Sequence, residues 1–180
     1  MILYSRIANE REVVVLKGQD IVVLAAIMDG RQQGESYAQL GARTCLSASE
    51  AHAAVKRLQD ASLLGLDRRV LRRNVLEFLI HGIRYAFPFR SSGVMAKGMP
   101  TSYAAPVAEG AFAVAGTCPV WRSQSGQMYG QAFDPLYATA PHAAAKDREL
   151  YDRLAVIDML RGGRLRERRF AEAKIAEMIP

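Results

Sequence analysis

The chain is poor in the residues that mark the commonest chemical sites. Among 180 residues there are two cysteines, Cys45 and Cys118, one tryptophan and three histidines. The cysteines form no C-x-x-C pair and no disulfide framework, so both are expected as free thiols. His52, His81 and His142 are scattered, with no acid or cysteine at metal-ligand spacing, so no metal site is expected. There is no G-x-x-x-x-G-K-[ST] loop, and Ser125-Gly126 lacks the G-x-S-x-G frame of a hydrolase elbow. No catalytic set is read, and neither an enzymatic activity nor a cofactor is expected. Long apolar runs are missing too. The longest, Ile21 to Met28, falls well short of the roughly 20 residues that span a bilayer. The first residues, MILYSRIANEREVVV, lack the layout of a secretory signal. These absences point to a cytoplasmic chain with no membrane partner. No internal repeat is evident.

What is present is charge, and it is uneven. The formal net charge is +6. Between Arg43 and Lys97 lie ten Lys/Arg and four acids, so this segment carries the whole excess. Basic charge gathered in one region is the footprint of a polyanion partner.

The most informative stretch overlaps that segment. Residues 36–65 read SYAQLGARTCLSASEAHAAVKRLQDASLLG. Tyr37 to Thr44 reads as a short helix anchored by Leu40. Ser36 to Gln39 could also pair briefly with a strand. A second helix starts after Ser47, whose hydroxyl can cap it, with Glu50 three residues on completing a capping box. Ala51, Val55 and Leu58 fall on one face, with Ala54 beside them. Ser49, His52, Ala53, Lys56 and Arg57 fall on the rest of the surface. A short helix, a sharp turn and a longer helix with an apolar back is the build of a helix-turn-helix, whose second helix enters the major groove.

The residues Tyr37-Ala38-Gln39-Leu40, Leu46-Ser47-x-Ser49-Glu50, Lys56-Arg57-Leu58 and Leu63-Leu64 resemble the helix-turn-helix of winged-helix bacterial regulators of the MarR type. The resemblance covers about thirty residues strongly. It departs at three positions. Gly41 stands where Ala is usual, at an expected cost of about 1 kcal/mol to the helix. Cys45 stands where the turn usually has Gly, which implies a strained positive φ. Ala51 replaces a larger residue. The resemblance implies that Ser47, Ser49, His52, Ala53, Lys56 and Arg57 face the groove, where Lys56 or Arg57 would bond guanine and Ala53 a thymine methyl.

Around this stretch the chain reads as follows. Val13 to Leu16 is a short strand or the start of a helix. Lys17 to about Met28 is a mostly buried helix stopped by Gly30. After Leu66 a two-stranded wing should follow, but helical spacing predicts a helix from about Asn74 to Tyr85, or from Arg68. On that longer helix Arg68, Arg69, Arg72 and Arg73 form one basic strip, which with Arg43 would hold phosphates. The wing is read as absent or displaced. Residues 89–115 have no sustained period and read as loop, with Arg90 to Gly93 and Lys97-Gly98 as a candidate flexible arm. Pro119 to Trp121 and Gln127 to Phe133 read as a hairpin around Ser123 to Gly126, packed by Trp121 and Tyr129. Asp147 to Leu160 and Arg164 to Met178 read as amphipathic helices broken at Arg161-Gly162-Gly163.

The fold class expected is therefore mostly α, in an α+β arrangement. A winged-helix-like helix-turn-helix domain with an atypical wing spans residues 1–88. A loop-rich connector spans 89–118, and a hairpin plus a helical association segment spans 119–180. The function expected is sequence-specific binding of double-stranded DNA by a homodimeric transcriptional regulator, dimerised through the terminal helices. A second reading is a DNA-binding antitoxin whose C-terminal segment holds a partner protein. A third is a helix-turn-helix used only for protein contacts.

Overall fold

The computed structural model describes residues 15–30, 34–89, 93–112, 116–124 and 126–179. The Val13 and Val14 part of the first expected element and the Arg90 to Ser92 part of the expected arm lie outside them.

The first three helices begin where side chains bond backbone N–H groups of the first turn. In α1 (Gly18–Ile27) the Asp20 carboxylate accepts the Lys17 N–H at 2.8 Å, and every residue from Asp20 to Ile27 is buried. In α2 (Tyr37–Thr44) the Ser36 hydroxyl accepts the Gln39 N–H, while the Gln39 side chain accepts the Ser36 N–H at 2.8 Å. Ser36 to Gln39 thus open a helix, and the alternative strand pairing is not formed. In α3 (Ala48–Asp60) Ser47 and Glu50 make the corresponding box. Ser47 lowers the Glu50 pKa by bonding its ionised carboxylate.

The turn between α2 and α3 depends on two positions. Cys45 adopts the left-handed conformation, φ 55. Leu46 N–H donates to Gly41 O at 2.8 Å, which brings the turn back onto α2. A Cβ on Gly41 would lie 2.6 Å from Leu46 O. Glycine there is a packing requirement, not only the helix penalty expected from propensity.

After α3 the chain makes a tight turn closed by one antiparallel bridge, Leu64 to Val70. Gly65 N–H donates to Arg69 O, Leu71 N–H donates to Leu63 O, and Arg68 holds φ 65. A left-handed residue cannot sit inside an α-helix. The basic strip expected on one helix is therefore corrected. Arg68 and Arg69 belong to the turn, and only Arg72 and Arg73 begin α4 (Arg72–Glu77). That helix runs through one π-turn, Phe78–Gly82, into α5 (Ile83–Ala86) and stops before Pro88.

The sheet corrects the expected hairpin. Strands β2 (Pro119–Arg122) and β3 (Met128–Ala132) run parallel, with Pro119 opposite Gln131. Both pair antiparallel with β1 (Met95–Pro100), which comes from the stretch read as loop. The three strands close on themselves. Closure needs glycine at the crossing: a Cβ on Gly98 would lie 2.0 Å from Trp121 O, and one on Gly130 2.1 Å from Cys118 O.

Three helices complete the chain: α6 (Ala140–Ala144), α7 (Arg148–Gly162) and α8 (Leu165–Met178). Asp147 caps α7 by accepting the Leu150 N–H at 3.1 Å. From Leu150 to Leu160 every residue of α7 except Asp152 is buried. The surface of α7 is thus covered within one chain, which removes it from the expected association surface; α8 lays Ala171 and Ile175 inward and leaves Leu165 exposed. One continuous hydrophobic core runs from α1 to α8. The architecture is mostly helical with a small three-stranded sheet, an α+β arrangement. Among the described residues no helix is long and apolar enough to cross a membrane.

Candidate nucleic-acid interface

The apolar back of α3, formed by Ala51, Ala54, Val55 and Leu58, is buried against α1 and α2. That leaves Ser49, His52 and Lys56 exposed and Ala53 half-buried on the opposite side. Ser47 is exposed too, but its hydroxyl is engaged by Glu50 and lies 3.1 Å from the Ser49 hydroxyl.

Two of the expected DNA-facing arginines are turned to other work. Arg57 donates from Nε and Nη2 to the two oxygens of Asp20, at 2.8 and 2.6 Å. Asp20 is fully buried and Arg57 about one-fifth exposed. This bidentate pair ties α3 to α1 and raises the Arg57 pKa. Arg43 bonds Asp29, Glu35 at 3.1 Å and the Ala26 carbonyl at 3.2 Å, with Asp147 at 3.6 Å. Burial alone would lower its pKa, but Glu35 and Asp29 together raise it. All four acids, Asp20, Asp29, Glu35 and Asp147, lie outside the Arg43 to Lys97 segment. Folding therefore neutralises part of the positive excess counted there.

The remaining basic residues divide. Arg72 reaches the carbonyls of Ile179 and, at 2.9 Å, Ala176, so it caps the C-terminal end of α8, where the helix dipole favours a cation. Arg69 is exposed beside Asp67, 3.3 Å away. Arg73 is exposed. Arg68 donates to the Glu35 carbonyl at 2.9 Å and lies over the Tyr37 ring, 5.2 Å from its centre. Tyr37 in turn meets His52 edge-to-face at 4.8 Å. The row Arg68–Tyr37–His52 joins the turn after α3, the start of α2 and the exposed side of α3 into one surface. Tyr37 is marked by the sequence as the opening of a helix and as one of the residues that carry the resemblance, not as part of the interface. Its place between two candidate residues depends on a turn geometry that spacing does not show.

A second polar cluster was not anticipated. Asp158, buried in α7, accepts from Trp121 Nε1 at 2.7 Å, Thr101 Oγ1 at 2.8 Å and Arg161 Nη1 at 2.6 Å. Burial pushes its carboxyl up from the usual carboxylate range, against the pull of Arg161 and the other donors. Arg161 also donates to the Phe87 carbonyl at 2.9 Å. With Trp121 wholly buried, this cluster fastens the sheet to α7; of the expected packing pair, Tyr129 is 68% exposed. Among the described residues no three His, Cys, Asp or Glu side chains gather as a metal site.

No family model, no curated protein and no solved structure matches this chain.

Proposed function

We propose that the protein binds double-stranded DNA sequence-specifically, as a cytoplasmic transcriptional regulator. In this reading α1 to α3 form a winged-helix-like unit whose wing is reduced to the bridged turn 64–70. The observation that carries it is the continuous polar surface made by Ser49, His52 and Lys56 on α3, extended through Tyr37 to Arg68. Ser49, His52 and Lys56 would meet base edges, and Ala53 a thymine methyl. Arg68, Arg69 and Arg73 would sit against phosphates. Arg57 and Arg43 support the interface by holding α3 and α2 to their neighbours. Two copies would bind a two-fold site, associating through the outer side of α8.

The test is fluorescence anisotropy with genomic fragments from around the gene, across a salt series. Binding should weaken steeply with salt, and Lys56→Ala should cost roughly 1–3 kcal/mol on the preferred fragment. Equal affinity for all fragments, unaffected by Lys56→Ala and His52→Ala together, would refute the proposal.

A further inference from the structure

A cavity of about 700 Å³ opens between the sheet and α6. Met99 lines it from β1, Met128 and Tyr129 from β3, and Pro141 and His142 from α6, with Ala145 at the helix end. Its size is that of sites for small organic molecules. Its chemistry is unusual for this chain, which has 24 Lys/Arg and 18 Asp/Glu. Among the described residues no Lys, Arg, Asp or Glu lines it. A second hollow, between the end of α2 and the start of α7, shows the contrast: among the described residues Arg43, Lys146, Asp147, Arg148 and Glu149 line it with Ala42. The larger cavity thus offers two thioethers, an aromatic ring and apolar surface, with Ser123, Gln127 and His142 as uncharged polar residues of its lining. Such a lining favours an uncharged, flat, ring-bearing molecule. A charged one would lose its hydration without gaining a counter-charge.

The same short helix reaches the helix-turn-helix from its flanks. Thr139, just before α6, lies with its hydroxyl 3.5 Å from the Thr44 carbonyl at the end of α2. Lys146, just after it, lies 3.5 Å from the Cys45 sulfur in the turn. Pro141, His142 and Ala145 of the cavity wall are therefore one to three residues from the groups that touch the turn.

We propose that this cavity binds a small uncharged aromatic molecule, and that its occupancy is transmitted through α6 to the turn at Cys45. The regulatory meaning of that transmission rests on the DNA-binding reading; the binding itself does not.

The experiment uses the full chain with three probes: 2-naphthol and indole, both uncharged, and naphthalene-2-sulfonate, which has the ring system of the first with an anionic group. Calorimetry should show saturable one-to-one binding of an uncharged probe, with the sulfonate about tenfold weaker or worse. Ala145→Phe, which puts a ring on the cavity wall, should abolish binding. Tyr129→Ala, at an exposed position, should weaken it about tenfold. Failure of both uncharged probes, or binding that survives both substitutions, overturns the site. So does an Ala145→Phe chain that changes oligomeric state in sedimentation while no probe binds, since the occupant is then a second copy. Transmission is read in a Cys118→Ser background, where Cys45 is the only thiol. A saturating probe should change its rate of modification about fivefold, and Lys146→Ala should remove that response without altering probe affinity. An unchanged rate overturns the transmission. None of these readouts involves DNA, so a chain that binds the probe and no DNA refutes the earlier reading alone.

Discussion

Asp20 and Asp158 are both buried carboxylates held by an arginine, yet they serve neighbourhoods of different construction. Asp20 belongs to the helical N-terminal unit, where each helix starts at its own cap and each turn is closed by nearby backbone groups. There polar side chains mostly look outward, and Asp20–Arg57 is the clamp that holds α3 on α1. Asp158 belongs to a region whose strands come from three separated stretches. There polar groups look inward, and the carboxylate gathers Thr101, Trp121 and Arg161 from different parts of the chain. One region is assembled from local signals and clamped once. The other has little local signal in its strands, and a buried hub fastens them to α7.

The sharpest way to break the comparison is to remove the hub. Asp158→Ala leaves Arg161 buried without its carboxylate and two further donors unmatched. It should cost about 3–5 kcal/mol. Trp121, the sole tryptophan, reports the loss directly by fluorescence during urea unfolding. Arg57→Ala should cost less, about 2–3 kcal/mol, because Arg57 is partly solvated and Asp20 keeps the Lys17 N–H. If the two variants lose the same amount, the distinction between clamp and hub fails. Gly41→Ala tests the local side. Its methyl would press on the Leu46 carbonyl, at a cost of about 2 kcal/mol by thermal melting.

Smaller again is Tyr151→Phe. Tyr151 donates to the Pro100 carbonyl at 2.7 Å and so joins α7 to β1. Its loss should cost about 1 kcal/mol at neutral pH. Burial, with help from the Asp152 charge, raises the Tyr151 pKa to about 12. The folded chain thus holds this proton more tightly than the unfolded chain. Its contribution is complete below the ordinary tyrosine value of about 10 and is lost as pH climbs towards 12. The wild type should lose stability over that window, and the phenylalanine variant should lose less. Lys56→Ala closes the series with a change within about 0.5 kcal/mol. Lys56 stands next to Arg57 in sequence, so the pair separates a residue held by the fold from one left to solvent.

That pair also shows what could be read in advance. Helices α1, α2, α3, α7 and α8 were legible because caps and apolar spacing act over a few residues. The positive φ at Cys45 was expected only through the resemblance, in which the turn usually has Gly at that position. The roles of Arg43 and Arg57 were not, since Arg57 finds its acid 37 positions away and Arg43 one of its acids 14 positions away. Counting charge along the chain placed both in a positive segment that folding partly cancels. Strand β1 was hidden because MAKGMP shows no alternation: its half-buried residues meet β2 along one half and β3 along the other. Asp158 was hidden inside an amphipathic pattern that predicts an outward acid.

The burial of α1 from Asp20 onward carries a consequence in time. Its last seven residues, Ile21 to Ile27, are apolar with no exposed side, and α7 supplies part of the cover. On the ribosome α7 arrives about 120 residues after α1, which at roughly 5–20 residues per second is on the order of ten seconds. For that interval the stickiest segment of the chain waits for a partner not yet made. Its early shelter comes from α2 and α3, both of which pack on it, and Arg57 of α3 reaches back to Asp20 well before α7 exists.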